Sequence, residues 1–172
     1  MAIQIKSLAG PAYSLVAAGV FLDSLRFKFT NAPETQTIFG KLDAWAASLG
    51  AGGLFSQTGL FSQYVIGSAE LVASTLLLAS LVPRLKRLRT IGALIAVAVM
   101  TGAVSFHLFT PLGVDPNEDG GGLFAMAVVV WLSSIAMLIA GRATLFDVAR
   151  ALANALVPPS STLTASEKVP HG

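Results

Sequence analysis

The chain has 172 residues, of which 54% are hydrophobic and only 12% are Asp, Glu, Lys or Arg, about half the ~25% charge of a soluble domain; with a mean hydropathy of +0.73, this excludes an ordinary soluble enzyme and a disordered protein. The absence of cysteine excludes disulfides, thiol nucleophiles, iron–sulfur clusters and covalently attached haem. Net charge is +2, but the basic residues stand at the ends of apolar stretches with no aromatic-plus-basic stripe, so nucleic acid is not an expected partner.

The sequence predicts an all-α integral membrane protein, a single domain over residues 1–157 built as a four-helix bundle. Its spans fall at about 11–30, 62–82, 90–110 and 122–141. Each is long enough to cross ~30 Å of hydrocarbon at ~1.5 Å per residue. The first is read as a retained span, because no small-x-small cleavage site follows Lys6 and its apolar run. Residues 31–61 form a long connection. There, Asn31-Ala32-Pro33-Glu34 has the order of a capped helix start. Ile38, Leu42, Trp45 and Leu49 follow at helical spacing beside Phe39 and Ala46, and Gly50, Gly52 and Gly53 end the helix. This extracytoplasmic amphipathic helix is expected to lie on the membrane surface or cap the bundle. Its Phe39, Leu42 and Trp45 are the candidate partner-docking residues.

The second and third spans are joined by Pro83-Arg84-Leu85-Lys86-Arg87-Leu88-Arg89, whose four cations mark the cytoplasmic side. The third and fourth are joined by a segment carrying Asp115, Glu118 and Asp119 and nothing basic, which belongs outside. Lys6, Arg142 and Arg150 then fall inside, and both termini are cytoplasmic. After the fourth span, Leu145, Val148, Leu152 and Leu156 form a stripe opposite Asp147 and Arg150, as in a cytoplasmic interfacial helix. Residues 158–172 are rich in Pro, Ser, Thr and charge, and read as a disordered tail in which His171 takes no role.

Ionisable residues within membrane spans are costly and mark functional sites by default. Asp23, Arg26 and Lys28 lie late in the first span, Glu70 early in the second and His107 late in the third. The topology brings all five to the outer half of the bundle, as one candidate polar pocket. A buried carboxylate needs a cation or hydrogen-bond donor. Arg26 and His107 are the expected partners of Glu70, with Asp23 sharing a helix face with Arg26 and Lys28 snorkelling to the interface. Such contacts pin helices together whether or not they bind a ligand. Ser74, four residues after Glu70, extends the polar strip, as do Thr101 and Ser105 on the third helix. Ala98 and Gly102 on that helix, and Gly67 and Ala73 on the second, allow close helix contact. Haem is not expected, since His107 is the only histidine in the spans and Met100 lies two turns away on the same helix. One histidine with one or two carboxylates also makes a poor metal site. Glu and His suit proton exchange with a lipid-soluble quinone.

Several motifs occur in a distinctive order: Arg26-Phe27-Lys28-Phe29, Gly67-Ser68-Ala69-Glu70-Leu71, Gly92-Ala93, Phe106-His107-Leu108-Phe109-Thr110-Pro111-Leu112-Gly113, and Leu123-Phe124 after an acidic Gly-rich turn. Over about residues 12–141 the chain resembles the DoxX-like family of small bacterial four-helix membrane proteins. The resemblance implies a four-helix bundle in the bacterial cytoplasmic membrane, with Glu70, His107 and the Arg26/Lys28 end as matching positions. It also implies association with quinone-linked redox systems, including a subunit similar to that of thiosulfate:quinone oxidoreductase. The expected function is a membrane subunit of such a system. The alternative is a non-catalytic accessory or assembly subunit beside a larger membrane complex. Membrane lipid and other protein subunits are the expected partners.

Overall fold

The structure is a computed structural model that describes residues 2–156, with side chains given from Leu8 onward except those of Val148 and Leu152. The tail at 158–172 with His171, the side chain of Lys6, and two members of the last predicted stripe lie outside the described residues. Every regular element among the described residues is helical: α1 Ala2–Phe29, α2 Pro33–Ser48, α3 Gln63–Ala79, a 3₁₀ turn Pro83–Leu85, α4 Leu88–Phe109, α5 Gly122–Ala140 and α6 Arg142–Leu156. Helix α1 starts earlier than the apolar stretch suggests, and Pro11 lies inside it.

Helix α1 packs most extensively on α3, α3 on α4 and α4 on α5, and α1 returns to touch α5. These four helices share one core, centred on Phe21, Leu77, Ala96 and Val130. Outside it the usual distribution of residues is inverted. Helix α5 has the most apolar window, with a mean hydropathy of 2.5, yet only 17% of that window is buried. Val129, Leu132 and Ile139 face outward from it, as Leu94 and Leu108 do from α4 and Leu15, Val16 and Leu22 from α1. An apolar surface this extensive has no place in water. Among the described residues three helices are long and apolar enough to cross a membrane: Leu8–Phe29, Leu88–Phe109 and Gly122–Ala140. The apolar helix α3 is shorter, with 17 residues.

The segment 31–61 folds over one end of this core. Helix α2 begins at Pro33 with Ala32 as its cap residue and no side-chain cap. The expected role of Asn31 as a cap is therefore not realised. Asn31 instead takes a left-handed φ of 52°, which its short polar side chain tolerates, and turns the chain sharply out of α1. Gly50 and Gly53, at φ 80° and 86°, reverse it after α2 as expected. Leu42 and Ala46 are buried with Phe55 and Leu112 in a second core, against which Phe39, Trp45 and Phe106 pack. Phe106 of α4 is the anchor, with Phe55 edge-on at 5.1 Å and Trp45 at 6.4 Å between ring centroids. Lys41 donates to the Pro116 carbonyl at 3.2 Å, and Asp43 accepts from the Phe55 N–H at 3.0 Å. Helix α2 thus packs against the end of α4. Phe39, Leu42 and Trp45 all take part in this packing, Leu42 buried and the other two half-buried.

Between α3 and α4 the close approach falls at Gly92, opposite the expected Ala73, and not at Gly102. A Cβ on Gly92 of α4 would lie 2.9 Å from Leu77 Cγ and 3.3 Å from the Ala73 carbonyl oxygen of α3, whereas one on Gly102 would meet only Phe106 at 3.8 Å. Ala98 is exposed. We expect Gly92→Val to destabilise by roughly 1–3 kcal/mol through overpacking. Gly102→Ala should be neutral or stabilise by roughly 0.5–1 kcal/mol, the usual gain in a helix interior. Thermal unfolding of both variants in detergent distinguishes them, and equal losses would contradict this packing.

The acidic segment before α5 serves as its cap. Asp119 Oδ2 accepts from the Leu123 N–H at 2.8 Å, and Oδ1 accepts from the Gly121 N–H at 3.0 Å. These bonds, that from Leu123 foremost, hold the Asp119 carboxyl below its ordinary value. Its contribution to the helix start is therefore complete above the ordinary Asp value of about 3.9 and is lost as pH falls through the lower folded value. The Leu123 amide shift in an NMR titration should report that loss, and Asp119→Asn should abolish the titration.

Candidate functional site

Lys28, in the last turn of α1, and Glu70, two turns into α3, meet across the α1–α3 seam with Nζ 3.1 Å from Oε1. Their side chains are 15% and 3% exposed. Helical rise places Glu70 about 10 Å inward from the start of α3. Lys28 also donates to Ser24 Oγ, one turn back on its own helix. Its methylene stem passes over Gly67, where an added Cβ would lie 3.5 Å from Lys28 Cδ and from the Phe29 ring. Lys28 folds back into the seam because Gly67 leaves space for its stem and Glu70 supplies an anion at its end.

The turn above the pair is tied by Gln63, the first residue of α3, which is buried. Its Nε2 donates to the Lys28 carbonyl at 2.9 Å and to Asn31 Oδ1 at 3.0 Å. Ser62 caps the same helix by accepting from the Val65 N–H at 3.3 Å. One polar atom of the cluster is left over: Glu70 Oε2 is buried with no hydrogen-bond partner among the described residues. An unpaired carboxylate oxygen in an apolar core is costly, so this atom is where a donor from outside the chain would be accommodated. An ammonium has three donors, of which Ser24 and Glu70 engage two among the described residues.

The five residues expected to form one pocket separate into three places. Lys28 and Glu70 are joined. Arg26 is not the partner of Glu70: it pairs with Asp23 at 2.9 Å on the outer surface of α1, both side chains more than 60% exposed, and its guanidinium lies over the Phe27 ring at 4.5 Å. Helical geometry accounts for the exchange, because Arg26 and Lys28 are two residues apart and so point to different faces. His107 is buried, but its Nδ1 bonds the Gly113 carbonyl at 2.6 Å. A carbonyl only accepts, so Nδ1 carries a proton in this contact. Packed beside Phe124 at 5.4 Å, His107 fastens the turn after α4. Ser74 donates to the Glu70 backbone carbonyl at 2.7 Å and not to its carboxylate. Thr101 lies on the outer surface, where it accepts from Trp131 Nε1 at 2.9 Å.

A second polar cluster, not anticipated, closes the other end of the α1–α3 seam. Ser14 and Ser80 are fully buried and 3.1 Å apart, and Arg89 Nε donates to Ser14 Oγ at 3.1 Å. Nearby, the hydroxyls of Tyr13 and Ser134 bond at 2.8 Å. Counting Arg89 only as a loop charge concealed this. The available signal was its place within the first turn of α4, where its side chain can reach back between neighbours. Among the described residues no group of three or more His, Cys, Asp or Glu side chains is arranged to hold a metal ion.

No family model, curated protein or solved structure matches the chain.

Breaking the pair from one side should cost more than removing it. Lys28→Met strands a buried carboxylate, for which roughly 3–5 kcal/mol is typical. The double variant Lys28→Met, Glu70→Leu should recover most of that loss. Unfolding of the two single variants and the double variant in detergent gives the coupling; additive losses would show that the two side chains do not act as a pair.

Proposed function

We propose that the protein is a four-span integral membrane protein of the bacterial cytoplasmic membrane, DoxX-like in kind, and a membrane subunit of a quinone-linked redox system. Helix α3 serves as the fourth span, completed by the turn residues that follow it. The basic turn at residues 83–89 places that end and both termini in the cytoplasm. The Lys28–Glu70 pair then lies in the outer half of the bilayer.

The observation that carries the redox reading is the free Oε2 of buried Glu70 beside a cation with one unengaged donor. A quinone supplies two carbonyl oxygens that take up protons as electrons arrive. Toward such a ligand Lys28 donates, and Glu70 either accepts a hydrogen bond or passes on a proton. Lys28 also holds the carboxylate in place, the role that the sequence pattern suggests for Arg26. Electrons come from a partner subunit.

A second reading, a non-catalytic accessory subunit, is favoured by Gln63. Its two bonds across the α1–α3 turn make the cluster a fastening between helices whether or not a ligand binds. The two readings differ for Glu70→Gln, which keeps the shape and removes the proton. In mild detergent the wild-type complex should retain quinone and reduce it. The variant should remain folded and assembled while quinone reduction falls by roughly 100-fold or more, the scale of a lost acid–base group. Unchanged reduction in an assembled variant would overturn the redox reading and leave the accessory one.

A further inference from the structure

At the basic end a cavity of about 210 Å³ opens between the turn preceding α4 and the corner where α5 meets α6. Lys86, Arg87, Arg89 and Thr90 line one side, Thr144 the other, and Met137 lies on the apolar wall. Among the described residues no carboxylate lines it. None of the three cations makes an ion pair among the described residues. Arg89 is the most constrained. Half-buried, it is held by Ser14 Oγ at 3.1 Å and by the Ser80 carbonyl at 3.5 Å, partners that orient the guanidinium without neutralising it. Gly10 has no Cβ, and one there would collide with the guanidinium, so the chain leaves room for this side chain. A constrained cation with two exposed cations beside it is a setting that favours an anion.

The volume is below the roughly 300–1,000 Å³ of sites that enclose a drug-sized ligand, so it suits a headgroup rather than a whole lipid. The two threonine hydroxyls add hydrogen-bonding groups for anionic oxygens. The cavity lies at the end of α4 and α5, where Leu94 and Ile139 present apolar surface outward, so a group bound there can carry acyl chains along the bundle. Helix α6 leaves the same corner with Phe146 exposed.

We propose that this cavity binds a phosphate group, supplied by an anionic phospholipid of the facing leaflet. The proposal rests on the membrane location argued above and not on the quinone reading. Basic pockets between spans on the cytoplasmic side commonly hold such headgroups.

The test uses the full chain purified in non-ionic detergent, with bound lipid read by native mass spectrometry. The ligands are phosphatidylglycerol, phosphatidylcholine and inorganic phosphate. Phosphatidylglycerol should bind at least tenfold more tightly than phosphatidylcholine. The double variant Lys86→Gln, Arg87→Gln should lose about 30-fold in that affinity, each cation at an anionic surface being worth roughly a factor of five. Both positions are exposed, so the variant leaves the Arg89–Ser14–Ser80 contact intact, and its thermal unfolding should match wild type. Equal affinity for the two lipids, or affinity unchanged in a folded double variant, would overturn the proposal. Inorganic phosphate that displaces phosphatidylglycerol at equal concentration would overturn the lipid source in favour of a soluble anion. Carbonate extraction of the native membranes tests the membrane location separately, so a failure there is distinguishable from a failure of the site.

Discussion

A buried cation must find an oxygen, and in this protein that requirement sets how α1 and α3 meet. Their seam is the most extensive helix contact in the molecule, and it is closed at each end by a charged side chain reaching inward. At one end Lys28 reaches Glu70 and Ser24; at the other Arg89 reaches Ser14 and the Ser80 carbonyl. Between them lie Ala17, Ala18, Phe21, Ala73 and Leu77, all almost fully buried. In hydrocarbon, apolar side chains gain little from facing one another rather than lipid, so packing and polar contacts must supply the specificity of association. A slip of α1 along α3 would unpair both ends at once, so the two clamps fix the register of the seam.

Polarity is distributed accordingly. Helix α5 carries no charge from Gly122 to Ala140 and has the smallest buried share of the three long apolar helices. Helices α1 and α3, by contrast, hold the buried ionisable pair. The charged residues that no helix needs internally, Asp23 and Arg26, pair with each other on the outside, where such a contact contributes little. The pair with consequences is therefore the one that neither water nor lipid headgroups can replace.

Much of this architecture was legible in the sequence, because hydropathy and turn residues are local signals. All four apolar stretches appear as helices, ending within a few residues of the expected positions at Phe29, Ala79, Phe109 and Ala140. The helix at 33–48 followed from its apolar spacing and terminal glycines. What was not legible depended on rotation about a helix axis and on contacts distant in sequence. Choosing between Arg26 and Lys28 as the partner of Glu70 required knowing which face of α1 meets α3, and charge alone favours neither. Asn31 matched a capping pattern, but it lies in a tight turn whose left-handed backbone moves the cap position to Ala32. Gln63 and Ser14 gave no signal, since a polar residue near a span end is ordinarily solvated. The place of Glu70 two turns into its helix was legible, because it follows from counting residues along one helix.

The position of lysine at residue 28 has a further physical basis. Its stem must double back over Gly67 to place the ammonium beside both Ser24 and Glu70. An ammonium is a compact point donor on a flexible chain and can occupy that bend. A planar guanidinium would need its fork laid flat across the seam and would present five donors to fewer acceptors. A larger side chain at 67 would take the volume the stem occupies, because even a methyl there would already be in contact with it. Gly67, Lys28 and Glu70 thus form one unit: the glycine admits the stem, the stem delivers the charge, and the charge permits a carboxylate about 10 Å inside an apolar bundle. The carboxylate oxygen that this unit leaves unsatisfied is then a consequence of geometry, since Lys28 approaches Oε1 from the α1 side and α3 itself offers Oε2 no donor.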